Sequence, residues 1–173
     1  MGEDGAPFLL FQRRSLAKDT WPGRLDATVG GHYRTGEGLA EALRETEEEI
    51  GVPVTEAGLR RLGTRIAVTE TAPGLRDREI QDVFLLRDDR PLAAYRPHPA
   101  ELAALIRVPL EPLLALLSGD AESVYGMAIA PGERAPYPVS IAGKDFIPGL
   151  DRYPYRVAIA AGLALRGERH VAV

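Results

Sequence analysis

Four glutamates, Glu41, Glu45, Glu48 and Glu49, recur three and four residues apart in the segment from Gly38 to Ile50. At about 100° per residue they fall near about 0°, 40°, −20° and 80°, whereas Leu39, Leu43, Thr46 and Ile50 cluster between about 140° and 200°. The carboxylates therefore share one face of a helix, and Leu39, Ala42, Leu43, Thr46 and Ile50 form the side that enters a core. Like charges at this spacing destabilise a helix by roughly a few tenths of a kcal/mol per pair. Arg44, four residues before Glu48, neutralises part of the charge. The remaining carboxylate oxygens suit a hard divalent cation, Mg²⁺ or Mn²⁺, which keeps several waters for a phosphate substrate. A solvated surface also carries such faces, but the preceding segment argues for a site. Gly30 to Gly36 holds three glycines, and a bending loop that leads into a helix N-terminus can aim backbone N–H groups at a phosphate.

The elements that must position this face follow from periodicity and turn chemistry. Phe8 to Phe11 reads as a buried strand and Leu25 to Val29 as a second, with the turn Trp21-Pro22-Gly23 between them. The helix spans Gly38 to Ile50 and stops at Gly51. Leu62 to Thr71 and Glu79 to Leu86 read as an antiparallel hairpin around Pro73-Gly74. Leu110 to Leu117 is a helix with Pro109 at its start and Gly119 past its end. Pro131 to Pro154, rich in Pro and Gly, reads as an ordered excursion or flexible loop, and Arg156 to Leu165 as a closing helix. Neither a repeat nor a linker divides the chain, so residues 1–173 are expected to form a single domain, with little before the first strand.

Composition bounds the function. The 173 residues are 45% hydrophobic and 27% charged, the range of a globular domain. Cysteine is absent, which excludes disulfides, thiolate zinc sites and thiol nucleophiles. A net charge of −4 argues against nucleic-acid duplexes and anionic membranes as partners. With no apolar run long enough to span a membrane and no signal-peptide pattern, the expected compartment is the cytoplasm.

The same residues resemble the Nudix hydrolases. That signature runs Gly, five residues, Glu, seven residues, Arg-Glu-aliphatic-any-Glu-Glu-any-Gly-aliphatic. Here Gly31 is followed after five residues by Glu37, and then by Arg44-Glu45-Thr46-Glu47-Glu48-Glu49-Ile50-Gly51-Val52. Thr46 takes the aliphatic position, and six residues rather than seven separate Glu37 from Arg44. Either Gly30 is the pattern's glycine with Glu37 slipped by one, or the helix begins one residue later. The resemblance implies an α/β/α sandwich (class α/β, or α+β) with a mixed sheet. It further implies that Glu45, Glu48 and Glu49 hold Mg²⁺ or Mn²⁺ while Arg44 orients them.

Arg14 to Lys18, Trp21-Pro22-Gly23 and Thr28 to His32 look like the branch of this superfamily that includes isopentenyl-diphosphate isomerase. By that likeness Arg14, Lys18, Gly31 and His32 are the candidate substrate-binding residues. Glu79 resembles the acidic segment of the isomerase metal site, and it is an additional candidate for ligand or base, with Glu70 and Asp82 as competitors. The isomerase requires a cysteine, whose position here is Gly30, and metal-binding histidines from an N-terminal strand that this N-terminus does not supply. The expected activity is therefore metal-dependent hydrolysis of a diphosphate linkage in a nucleoside diphosphate derivative or other organic diphosphate. Glu48, Glu49 or Glu79 would take the proton of the attacking water. A diphosphate-binding protein without catalysis and the isomerase are the alternatives. Tyr125, Tyr137, Phe146, Tyr153 and Tyr155 serve either a substrate pocket or packing. The partner is a small-molecule diphosphate, and a sheet edge left without an N-terminal strand makes a second copy of the chain a candidate as well.

Overall fold

The computed structural model describes residues 5–72 and 75–173, except for the side chains of residues 69–72 and 75. Its elements run β1 (Phe8–Arg14), β2 (Leu25–Ala27), α1 (Leu39–Ile50), β3 (Leu59–Ala72), β4 (Leu75–Leu86), β5 (Leu102–Pro109), α2 (Leu110–Ser118), β6 (Ser123–Ile129), β7 (Tyr137–Ala142) and α3 (Tyr153–Leu165). Five strands form a sheet in the order β2-β1-β5-β6-β7, and β3 pairs with β4 in a separate hairpin. Neighbouring strands pair antiparallel throughout. Among the described residues the one parallel pairing is an isolated bridge, Leu25 with Phe146, the latter outside the five strands.

Alternation along the strands sends side chains to two cores. Phe11, Ala104, Ile106, Val108 and Ala128 meet Leu110, Leu113 and Leu116 of α2 and Ala158 of α3. Leu105 and Ile129 point the other way, toward Ile50 at the end of α1 and toward Val52, Leu92 and Tyr95. Helices thus lie on both faces, the α/β/α layering expected, and each fully buried Leu or Ile contributes about 1.5–3 kcal/mol. A bulge places Arg13 opposite Ala104 but Arg14 opposite Leu102. The extra residue, Ala103, lets Leu102 and Leu105 join the same cluster despite their odd spacing. Leu62 and Val83 of the hairpin pack on Ala160 of α3 and Val171.

Several elements depart from expectation. The strands β5 and β6 arise where none was expected, and β7 forms inside the segment read as a loop from Pro131 to Pro154. The strand expected from Leu25 to Val29 ends at Ala27, while β3 and β4 both extend beyond their expected limits. The hairpin itself forms as expected, but the Pro73-Gly74 turn lies outside the described residues. Helix α1 starts at Leu39 with Gly38 as its cap, one residue later than the periodicity predicts. Among the described residues no helix is long and apolar enough to cross a membrane.

Candidate active site

Helix α1 is fixed at both ends by local chemistry. At the start, the Glu41 carboxylate accepts the Gly38 amide at 3.0 Å. At the end, Gly51 adopts φ 72° and donates to the Glu47 carbonyl. A Cβ at Gly51 would stand 2.4 Å from the Cβ of Arg96, so the helix stop doubles as the close approach of the 96–101 loop. That loop is tied to the helix backbone by Arg96 N–H to Ile50 C=O and His98 N–H to Glu49 C=O, both 2.8 Å. Thr46 occupies an otherwise apolar position by turning its hydroxyl onto the Ala42 carbonyl at 2.8 Å, which leaves only its methyl to pack. Glu37 closes a turn instead of extending the helix face, since its carboxylate accepts the Arg34 amide at 2.8 Å.

The four carboxylates do not act as one group. Glu41 is occupied by its cap, and Glu48 is exposed at 4.0 Å from Arg44, the i,i+4 pair expected of these two. Glu45 and Glu49 are half-buried. Gly31 approaches so closely that a Cβ there would lie 3.1 Å from Glu45 Oε2. Glu49 has its carboxyl pushed up to about 7, first by burial and next by the charge of Glu101, with Glu45 adding and Lys18 and Arg14 opposing. The charges of Lys18 and Arg14, both singled out in the sequence, thus act on the Glu49 carboxyl. Arg14 is held in place by Thr20, at 3.0 Å to the carbonyl and 3.2 Å to the hydroxyl, and by Asp26 at 3.5 Å.

A second acidic group approaches from the hairpin. His32, next to Gly31, lies 3.0 Å from Glu79. Behind Glu79 runs a relay of hydrogen bonds: the Gln81 amide donates to Glu79, Arg65 donates to Gln81 at 2.9 Å, and the same guanidinium grips Asp151 at 2.6 and 3.1 Å while stacking over Tyr153. Burial raises the Glu79 carboxyl, but the bonds from Gln81 and His32 outweigh it and hold it below its usual range. Burial lifts the Asp26 carboxyl above its ordinary value, against the Ala27 amide and the charges of Arg14 and Arg65 and together with that of Glu79. Strand parity removes Asp82 from the site: it pairs with Arg61 and Thr64 in the opposite direction from Glu79. The Glu70 side chain lies outside the described residues.

The sequence assigns no role to Glu101, Asp26, Gln81 or Arg65. Only Asp26, in a strand expected from the sequence, carried a local signal, one acid between apolar neighbours. Of the aromatic candidates, Phe146 is core, edge-on to Phe11 at 5.3 Å. Tyr155 and Phe146 border a cavity of about 420 Å³ with Arg24, Lys144 and Arg152, none of them among the residues gathered around Glu49 and Glu79. Tyr125 and Tyr137 are exposed.

The NUDIX domain matches residues 1–126 of the chain. The chain belongs to the Nudix family. It is similar to an uncharacterized Nudix hydrolase, CA_C0446 of Clostridium acetobutylicum, at 28% identity over 157 residues, covering 89% of this chain and 75% of that one. It is 34% identical over 116 residues to Nudix hydrolase 3 of Arabidopsis thaliana, covering 65% of this chain but only 15% of the plant protein. Among solved structures, DR0079 of Deinococcus radiodurans shares 29% identity over 65% of each chain, with a TM-score of 0.49. Membership makes this protein a Nudix-type hydrolase, of a class that acts on pyrophosphate bonds and generally uses divalent metal ions. Among the described residues no three of His, Asp and Glu stand together as a group able to hold a metal ion. The donor chemistry nevertheless fits a hard cation: Glu49 is a half-buried carboxylate pressed by like charges from Glu45 and Glu101, which a divalent ion would relieve.

Proposed function

We propose that this Nudix hydrolase cleaves the diphosphate linkage of a nucleoside diphosphate derivative or another organic diphosphate, with Mg²⁺ or Mn²⁺ held by Glu45, Glu48 and Glu49. The observation that carries this reading is Glu49, a half-buried carboxyl in the last turn of the signature helix, tied through its carbonyl to the 96–101 loop and lifted by burial and by neighbouring carboxylates. When bound, the cation neutralises diphosphate oxygens and lowers the pKa of a water. The chain's own residues do the rest. Arg14 and Lys18 offer positive charge to the phosphates on the side of Glu49, and the Gly31 backbone lies close enough to Glu45 for substrate to approach without a side chain in the way. Arg44 restrains Glu48 through their i,i+4 pair. The attacking water's proton goes to a carboxylate, Glu48 or Glu49 in the helix or Glu79 on the hairpin, and Glu79 is held ready by Gln81 and His32.

Incubation with a panel of organic diphosphates in Mg²⁺ and Mn²⁺, following phosphate, pyrophosphate and nucleoside monophosphate, tests the reading. One or more of the panel should be hydrolysed, with turnover falling by orders of magnitude in Glu48→Gln and Glu49→Gln. Near-normal activity in both variants overturns the assignment. Ligand binding measured by calorimetry with no product formed would favour a diphosphate-binding protein without catalysis.

A further inference from the structure

Lys18 and Glu101 are 83 residues apart and meet as an ion pair, with side chains 34% and 36% exposed. Their backbones are joined as well. Ser15 donates to the Glu101 carbonyl at 3.0 Å, and Lys18 donates to the Ser15 carbonyl at 3.2 Å. Buried Ser15 accepts the Ala17 amide on its hydroxyl at 3.3 Å. On the other side, Glu101 donates to the His98 carbonyl at 3.0 Å, and His98 donates to the carbonyl of Glu49. A continuous path of hydrogen bonds thus runs from the signature helix through the 98–101 turn to the 15–18 turn.

We propose that Glu101 is a positioning residue, which holds the Lys18 ammonium beside the carboxylates of α1 so that its free N–H groups meet a phosphate oxygen of the substrate. An ammonium has three donors, of which Glu101 engages one. A free lysine side chain samples many rotamers, so fixing it in advance lowers the entropy lost when substrate arrives. The neighbouring cation is settled differently: Arg14 is already ordered by Thr20 and Asp26. Through Lys18, Glu101 acts on how well the diphosphate binds; its charge also bears on the Glu49 carboxyl, so the positioning role is read from affinity and not from kcat. The role in substrate binding rests on the hydrolase reading, whereas the ordering of Lys18 does not.

The sequence contains only two lysines, Lys18 and the exposed Lys144. Lysine-selective ¹³C labelling therefore gives two Cε signals, assigned with Lys144→Arg. In the free wild type, Lys18 is expected to be the more ordered of the two, and in Glu101→Gln its relaxation should approach that of Lys144. In calorimetry with methylenediphosphonate and Mg²⁺, Glu101→Gln is expected to weaken binding about three- to tenfold. Lys18→Met should weaken it at least as much, and the double variant no more than Lys18→Met alone. Turnover of a cleaved substrate should show KM raised in the same proportion in Glu101→Gln, with no further rise when Lys18→Met is added. A Lys18 signal as mobile as Lys144 in the wild type overturns the pair. Additive losses in the double variant, a fall in kcat alone, or a wild type that does not bind the probe each overturn the phosphate role. If no organic diphosphate is cleaved while Lys18 is ordered and released by Glu101→Gln, the hydrolase reading fails and the pair stands.

Discussion

Glu49 and Glu41 are the same residue type on the same face of one helix, two turns apart, and the protein uses them in opposite ways. Glu41 is bound to the Gly38 amide, which is the first influence holding its carboxyl below the usual range. Glu49 is half-buried and feels the charges of Glu101, Lys18, Glu45 and Arg14, and its carboxyl is lifted to about 7, first by burial. Helical periodicity decides that both point to one side. What separates them is long-range: the 96–101 loop, anchored on the carbonyls of Glu49 and Ile50, brings Glu101 to one end of the stripe only. The sharpest test of the contrast is turnover. Glu49→Gln is expected to lower kcat by about 10²–10⁴-fold with the circular dichroism spectrum retained. A value within a factor of about two of wild type would place the inner and outer glutamates on the same footing.

A smaller effect is expected at the carboxylate supplied by the hairpin. Glu79 is oriented by Gln81 and His32 and backed by the Arg65–Asp151 pair. Glu79→Gln is expected to reduce kcat/KM by about tenfold or more, the lower end of what a positioned base contributes. Asp82→Asn, three residues along β4 on the other face, should leave kcat/KM near wild type. Equal losses in the two variants would show that the hairpin matters only as a scaffold.

The contrast also has a signature in pH. The folded chain keeps the Glu49 proton up to about pH 7, whereas the ordinary value is 4.5. Between these values Glu49 binds more protons in the folded state than in the unfolded state, so its contribution to the stability of the metal-free protein falls as pH rises through this window. Glu49→Gln should remove that part of the slope, read as the pH dependence of the difference in melting temperature between variant and wild type. Saturating Mn²⁺ should oppose it, because the ion binds the deprotonated carboxylate. A difference that is flat from pH 5 to about 7 would mean that Glu49 is not buried among like charges.

Much of this was legible in the sequence where the physics is local. Helix α1 announces its glutamate face, its Gly51 stop and its apolar side within a dozen residues, and the Arg44–Glu48 pair follows from spacing alone. The central strand β5 was not legible: Leu-Ala-Ala-Leu-Ile-Arg-Val-Pro is buried on both faces, so it lacks the alternation that marks a half-exposed strand, and its alanines and leucines favour helix as readily. In β6 the interior Gly126 weakens the strand signal. It is there because a Cβ would stand 2.7 Å from the Arg107 carbonyl of the neighbouring strand, a contact no local pattern reveals. Glu101 was hidden for the same reason, since its importance depends on a strand that was not expected and on a lysine 83 residues earlier.

The smallest expected effect belongs to Glu41, and it completes the contrast. Its carboxylate satisfies an amide at the start of α1 and places negative charge at the positive end of the helix, so Glu41→Ala should lower the melting temperature slightly at neutral pH. Because the Gly38 bond depresses the carboxyl, the stabilisation is fully present above its ordinary value of 4.5 and is lost as pH falls through the depressed one. The melting temperatures of wild type and Glu41→Ala should therefore converge in acid, the reverse of the trend at Glu49. Turnover at saturating substrate and metal should be unchanged, because the cap holds the helix in place and takes no part in the gathering of charges around Glu49. If Glu41→Ala instead lost activity on the scale of Glu49→Gln without a matching loss of helix, the four glutamates would act as one unit and the division between the inner and outer residues would fall.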